Sequence, residues 1–523
     1  MNRYPCINMK RLIVILITLG LTSVQALELP TIFSDLMVFQ REVPVHIWGK
    51  AKPGASVKVE FASQKVTTEA AEDGSWAVYL KPMEASFEGR DLEVASGGDK
   101  KTFHEVLVGE VWLGSGQSNM AWNVEMCADG DILLLMANDP YLRLHQVNYA
   151  VAREPRFSDE WPWFPDRPQS TRYISSVAYQ FARDMRAALK VPVGIINSSV
   201  GGTPSIAWTR SETILSNPVL RARDEEWEAA LARYDEDLSA WDARYTEWLA
   251  ENGIEDREYE AHLRQGAPRK PEDAASPRRP ASLANGMVAP IAGYTVRGVL
   301  WYQGEEDAKW DPANYDERLR LMIADWRDWW GVKDLPFGVV QLANFMKPME
   351  NPTNGPWANI RESQRSVAAS DSGVGLVVAI DAGEADDIHP RDKFTIARRL
   401  ARWALADVYN KLTLAGGPVI TGAVMEGSDV LLSFEQTGSG LHSMDAQTLG
   451  GFTASDSLTG PSQGTAFYPV AARIRSKTEV LLEVPEGRKP LRVRYGWQSN
   501  PEDANLTNRE RLPASPFAIK ISR

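Results

Sequence analysis

A serine that attacks an ester needs a base beside it, and histidine is the usual one. The 523-residue chain has six candidates: His46, His104, His145, His262, His389 and His442. Only His389 falls in a loop that follows a strand of parallel type and precedes a helix, in Asp386-Asp387-Ile388-His389-Pro390. An aspartate two or three residues earlier can reach the imidazole and fix its tautomer, the orienting role in a triad. Pro390 suits the first turn of the helix that follows. The other reading is that Asp386 or Asp387 merely caps that helix, but the position of His389 and the scarcity of histidine favour catalysis. Spacing does not say which aspartate acts.

A matching nucleophile is Ser118, in Gly116-Gln117-Ser118-Asn119-Met120 after a strand that ends near Leu113. On a sharp strand-to-helix turn a serine exposes its hydroxyl while its own N–H points toward a developing oxyanion. Alone, a Gly-x-Ser is a weak signal, because serine is also a common helix N-cap. A second loop, Gly201-Gly202-Thr203-Pro204, lets backbone approach a ligand closely and present an N–H, although it equally reads as a tight turn. In a third, Gln303-Gly304-Glu305-Glu306-Asp307, the Gln303 amide is a candidate oxyanion donor. Glu305 and Asp307, as carboxylates, suit the bracing of neighbouring loops. Cys127 reads as a buried, inert thiol rather than a nucleophile.

The elements that must position these loops are legible in outline. Val106–Leu113, Val193–Ile196, Val296–Tyr302, Phe337–Leu342 and Val374–Ile380 read as buried strands. They alternate with helical patterns: Val177, Phe181, Met185 and Leu189 on one face, then Leu319, Ile323 and Trp326, then a helix from about Arg391 to Tyr409. Such alternation implies an α/β fold with a parallel sheet between helices, which binds ligands at the carboxyl ends of its strands. Residues 27–105, cut by Gly, Pro and Asp, read as a small β-sandwich, and 411–523 as a terminal β domain around an α/β domain of 106–410. Within 211–280 an insert carries Trp227, Leu231, Tyr234, Leu238, Trp241, Tyr245 and Trp248 at heptad-like spacing on one expected helix. That stripe suits packing on the protein body; its other reading is an aromatic lid or dimer seam.

Residues 1–26 read as an export signal: Lys10 and Arg11, the apolar run Leu12–Leu21, then Val24-Gln25-Ala26. A secreted or periplasmic location is expected, with no membrane span. The whole chain carries 57 basic and 69 acidic residues, a net charge of −12, and loss of Arg3, Lys10 and Arg11 with the signal deepens it to −15. An acidic balance repels phosphate backbones and anionic lipid, so neither nucleic acid nor membrane is an expected partner. Oligomeric state is not legible. Cys6 would leave with the signal, stranding Cys127 without an internal disulfide partner.

The blocks around Ser118, Gly201-Gly202, Trp301-Tyr302-Gln303-Gly304-Glu305 and Asp387-Ile388-His389-Pro390 resemble those of the sialate O-acetylesterase family, a branch of the SGNH hydrolases. So do Phe33–Val38, Asn285-Gly286-Met287, Gln341–Phe345, Arg361–Gln364 and Arg494–Trp497, so the resemblance spans nearly the whole mature chain. It implies a flavodoxin-like three-layer α/β/α core with flanking β domains. It also implies a serine mechanism without metal or cofactor, and an O-acetylated sugar or glycan as substrate. Carried over by position, Ser118 is the nucleophile and His389 the base. The N–H groups of Ser118 and of Gly201 or Gly202 bind the oxyanion, and Gln117, Gln303 and Glu305 belong to the same surround. The family usually has Glu-Ser-Asn where Glu305-Glu306-Asp307 stands, and often has Asn where Asp386 stands. Asp386 is the first choice as orienting acid and Asp387 the second. An acetylesterase for xylan or another polysaccharide, and a non-catalytic glycan-binding protein, are the alternatives.

Overall fold

The computed structural model describes residues 27–254, 266–349, 355–445, 448–458 and 467–522. The expected export segment, with Cys6, and His262 lie outside them. At its centre six strands run parallel in the order Val374–Val377, Phe337–Val340, Gly298–Tyr302, Asp99–Gly116, Val193–Ser199, Leu142–Gln146. The short strand Phe164–Pro165 closes the edge antiparallel. Without the edge strand Leu142–Gln146, the five remaining strands follow the flavodoxin order 2-1-3-4-5.

These central strands are apolar on both sides because both faces are covered. Successive residues enter different cores. Trp112, Leu300, Tyr302, Val340 and Val377 pack with the helices Ser176–Leu189 and Phe394–Trp403. Val111, Leu113, Val299, Trp301 and Val339 pack with the helices Tyr315–Trp330 and Pro356–Ser370. The expected face of Val177, Phe181 and Met185 is buried, and its helix begins where the Ser175 side chain accepts the Ala178 N–H.

Three elements differ from their sequence reading. The strand expected from Val106 is an 18-residue one, Asp99–Gly116. Its first half pairs antiparallel with Ser86–Ser96 and its second half enters the central sheet, so the N-terminal β region and the α/β core share one apolar cluster. The run Ala423–Phe434 is a hairpin, Val419–Glu426 and Asp429–Glu435, turned at Gly427 with φ of 63°. The single insert helix is two helices, Pro218–Ala232 and Tyr234–Glu251, divided at Arg233. Asp235, Glu236 and Asp237 crowd the first turn after the break, where a new helix N-terminus favours negative charge. In the second helix Trp241 stacks on Tyr245 and Tyr245 on Trp248, and the Trp241 indole donates to the Pro268 carbonyl. This half of the stripe therefore packs on the insert's own returning segment.

The C-terminal strands hold a separate core of Val430, Leu432, Val480, Leu482, Val493 and Phe517. Side chains of both regions stitch it to the central sheet, among them Gln341, which donates to the Ser515 hydroxyl, and Arg361. Arg361, fully buried, donates to the carbonyls of Leu342 and Ala343 after a central strand and to those of Gln498 and Ser499 in the C-terminal region. Burial without a carboxylate pushes its guanidinium down to about 9. Arg361→Met takes a donor from all four carbonyls and leaves those of Leu342 and Gln498 without one, since Trp357 still donates to Ala343 and the Phe345 N–H to Ser499, so we expect a loss of about 3–5 kcal/mol in urea unfolding. A change below about 1 kcal/mol would contradict this role.

Candidate active site

The turn that carries Ser118 is set by close backbone approach. Gly116 has φ of 135°, and a Cβ there would lie 2.1 Å from the Tyr302 carbonyl oxygen. Only glycine fits between those two strand ends. The chain then turns at Gln117 into the short helix Ser118–Ala121. Gln117 donates its N–H to the Tyr302 carbonyl, while its side-chain oxygen accepts the N–H groups of Gly304 and Glu306. Gln117 thus latches the serine turn to the third loop.

The Gly201 loop is pressed against the serine: a Cβ on Gly201 would stand 3.3 Å from the Ser118 Cβ. No described group accepts the backbone N–H of Ser118 or of Gly201. Gly202, with φ of 67°, offers its carbonyl to the Arg278 guanidinium at 2.9 Å.

Ser118 and His389, 271 positions apart, meet at this edge, with the serine hydroxyl 2.8 Å from His389 Nε2. The Trp122 indole stacks on the imidazole, ring centres 4.9 Å apart at 19°, and fixes its plane. Partial burial and the positive charges of Lys393 and Lys309 hold His389 below the ordinary value of 6.5, against the opposing pull of Asp387. A neutral ring accepts the serine proton at Nε2. The carboxylate that comes near Nδ1 is Asp387, at 3.7 Å, and it also accepts the His389 N–H at 2.8 Å. The structure brings Asp387 rather than the first-choice Asp386 to the ring, because the loop turns on that backbone bond. His145, the one fully buried histidine among the described residues, lies on the strand Leu142–Gln146 and is paired with Asp159 of the loop that follows.

Gln303 does not supply an oxyanion donor. Fully buried, it donates to the Thr203 carbonyl and to Asp307, and its oxygen accepts the Tyr315 hydroxyl. Asp307 accepts in addition from the Ser205 N–H and hydroxyl and from Arg318. It braces the Gly201 loop and is turned away from Ser118. Glu305 lies beneath the serine turn, where its carboxylate accepts from Asn119 at 2.6 Å.

Three residues at the site have no role assigned from the sequence: Asn119, Trp122 and Lys393. Lys393 carried a usable signal, since it stands just before the helix Phe394–Trp403, where a helix dipole disfavours a cation. Beside the site, a cavity of about 290 Å³ is lined by Pro204, Arg278, Asp307, Trp310 and Trp227. There the first insert helix lays Trp227 against Trp310, ring centres 6.4 Å apart.

Comparison with known proteins agrees with this geometry. Residues 108–233 and 281–406 match a family model described as "Carbohydrate esterase, sialic acid-specific acetylesterase". The chain is 28% identical to sialate O-acetylesterase of Mus musculus over 93% of both sequences. To the Rattus norvegicus protein of that name it is 29% identical over 73% of each. A crystal structure of a carbohydrate acetylesterase from Xanthomonas citri is 31% identical, with a TM-score of 0.76, and the match covers 94% of this chain and 99% of that one.

The charges around the ring make a prediction that NMR can read. His389 titrates below 6.5, and Asp387→Ala lowers it further, because the lost carboxylate favours the imidazolium. Asp386→Ala leaves it in place. An equal or larger shift for Asp386→Ala would make Asp386 the orienting acid.

Proposed function

Because the chain belongs to the sialic acid-specific acetylesterase family of carbohydrate esterases, we propose that it hydrolyses acetyl esters on sugars through an acyl-enzyme formed on Ser118. The observation that carries this reading is the 2.8 Å contact between the Ser118 hydroxyl and His389 Nε2, with the Gly201 loop against the serine. The strand order and the helix pairs on the two sheet faces support a three-layer SGNH hydrolase core.

In the proposed cycle His389 takes the hydroxyl proton as Ser118 Oγ bonds to the acetyl carbonyl carbon. The oxyanion is bound by the N–H groups of Ser118 and Gly201. Asp387 favours the imidazolium that forms, and its contact at 3.7 Å shortens as the charge develops. His389 then returns the proton to the departing sugar oxygen as the ester C–O bond breaks. A water, deprotonated by the same histidine, attacks the acetyl-serine; acetate leaves and Ser118 regains its proton. No donor is assigned to Gln303, whose amide protons are committed elsewhere. Residues 1–26 are assigned to export, which would bring the enzyme to glycans outside the cytoplasm.

Ser118→Ala and His389→Ala each lower acetate release on the order of 10³-fold or more with the fold retained in circular dichroism. Full activity in a folded Ser118→Ala protein would refute the assignment. Between substrates, faster release from O-acetylated sialic acid than from acetylated xylan is expected. The reverse order would assign a neutral polysaccharide.

A further inference from the structure

Beneath the Ser118–His389 pair runs a chain of buried groups that do not face the substrate. Lys393, 1% exposed, directs its ammonium at the Asn119 side-chain oxygen, 2.6 Å away. Asn119, also 1% exposed, is the residue after the nucleophile. Its amide nitrogen donates to Glu305 at 2.6 Å and to the carbonyl of Ile388, the residue before the base, at 3.0 Å. The cation and the carboxylate fix which end of the amide points where, so Asn119 has a single orientation. The Lys393 ammonium also lies 5.5 Å from the centre of the Trp122 ring that stacks on His389.

An ammonium so deeply buried is costly to desolvate and needs partners. A leucine or methionine would fill the space without that penalty. What the charge provides is order and a field: it pins Asn119, through it the serine turn and the His389 loop, and it opposes a second positive charge nearby. We propose that Lys393 is a positioning residue for the esterase reaction, a cationic clamp backed by Glu305 that ties the nucleophile's turn to the base's loop through Asn119.

The signs of the surrounding charges agree. Lys393 and Lys309 act against protonation of His389 and Asp387 acts for it. Against Lys393 itself stand Glu305, Asp387, Glu384 and the Cys127 thiol, and burial lowers it to about 8. It is therefore mostly charged at neutral pH, where His389 must be free to accept a proton. Removing the lysine charge raises the proton affinity of His389, so the acidic limb of kcat/KM moves to higher pH.

The inference rests on the esterase reading, yet the two are tested apart. Lys393→Met is expected to raise the His389 NMR titration, and with it the acidic limb of kcat/KM, by about half a unit or more. Near that limb kcat falls severalfold while KM holds, because Lys393 does not reach the substrate. Lys393→Arg keeps the limb at its wild-type position. Should the single Met variant fail to fold, Lys393→Met with Glu305→Gln removes both buried charges together, and a smaller upward shift is expected, because the lost carboxylate offsets part of the effect. An unmoved titration in whichever Met variant folds, or a limb shifted as much by Arg as by Met, would overturn the clamp. Labelling of wild-type Ser118 by a serine-directed phosphonate reads the esterase assignment independently of these shifts.

Discussion

The geometry at the sheet edge depends on one hydrogen bond, that between the hydroxyl of Ser118 and the imidazole of His389. Two loops 271 residues apart must arrive within 2.8 Å, and neither controls the other through local sequence. The parallel sheet supplies the solution. Strands held in register end at a common edge, so loops from Gly116, Ser199 and Tyr302 converge there, and each is joined to a neighbour by backbone or amide bonds. A displacement of one ångström would weaken proton transfer severely. That sensitivity gives a reason for so much buried polar structure around so small a reacting centre.

The buried polar groups fall into separate braces, each tying one loop. Gln117 joins the serine turn to the loop after Tyr302, and Asp307 with Arg318 and Gln303 joins that loop to the Gly201 loop. Asn119, between Lys393 and Glu305, joins the serine turn to the histidine loop. Arg361 holds the next loop along the edge to the C-terminal β region. Inside the protein a satisfied network of this kind favours one arrangement strongly, because any other leaves a buried donor or acceptor without a partner.

Much of this was legible from residue types and spacing. Ser118 and His389 could be named because acyl transfer demands few residue types and this chain has few histidines. The strands and helices of the core followed from apolar periodicity. What was not legible depends on tertiary partners. Gln303 carries the right amide, but Thr203 and Asp307 claim it, and only the folded chain brings those groups together. Asp386 and Asp387 differ by one position, and the His389 N–H decides which turns toward the ring. The aromatic stripe from Trp227 to Trp248 keeps its period across Arg233, although the helix breaks there and its two halves pack on different partners, because periodicity alone does not register backbone continuity. Family membership favours an acetylated sugar, and the stacked Trp227 and Trp310 line the cavity beside the loops.

The central claim is that Ser118 carries the acetyl group during turnover. Rapid acid quenching of the enzyme during hydrolysis of an acetylated substrate, followed by mass spectrometry of the peptides, tests it most directly. An acetyl adduct on the peptide containing Ser118, absent from His389→Ala, is the predicted result. Acetate release with the adduct on a different side chain would contradict the account.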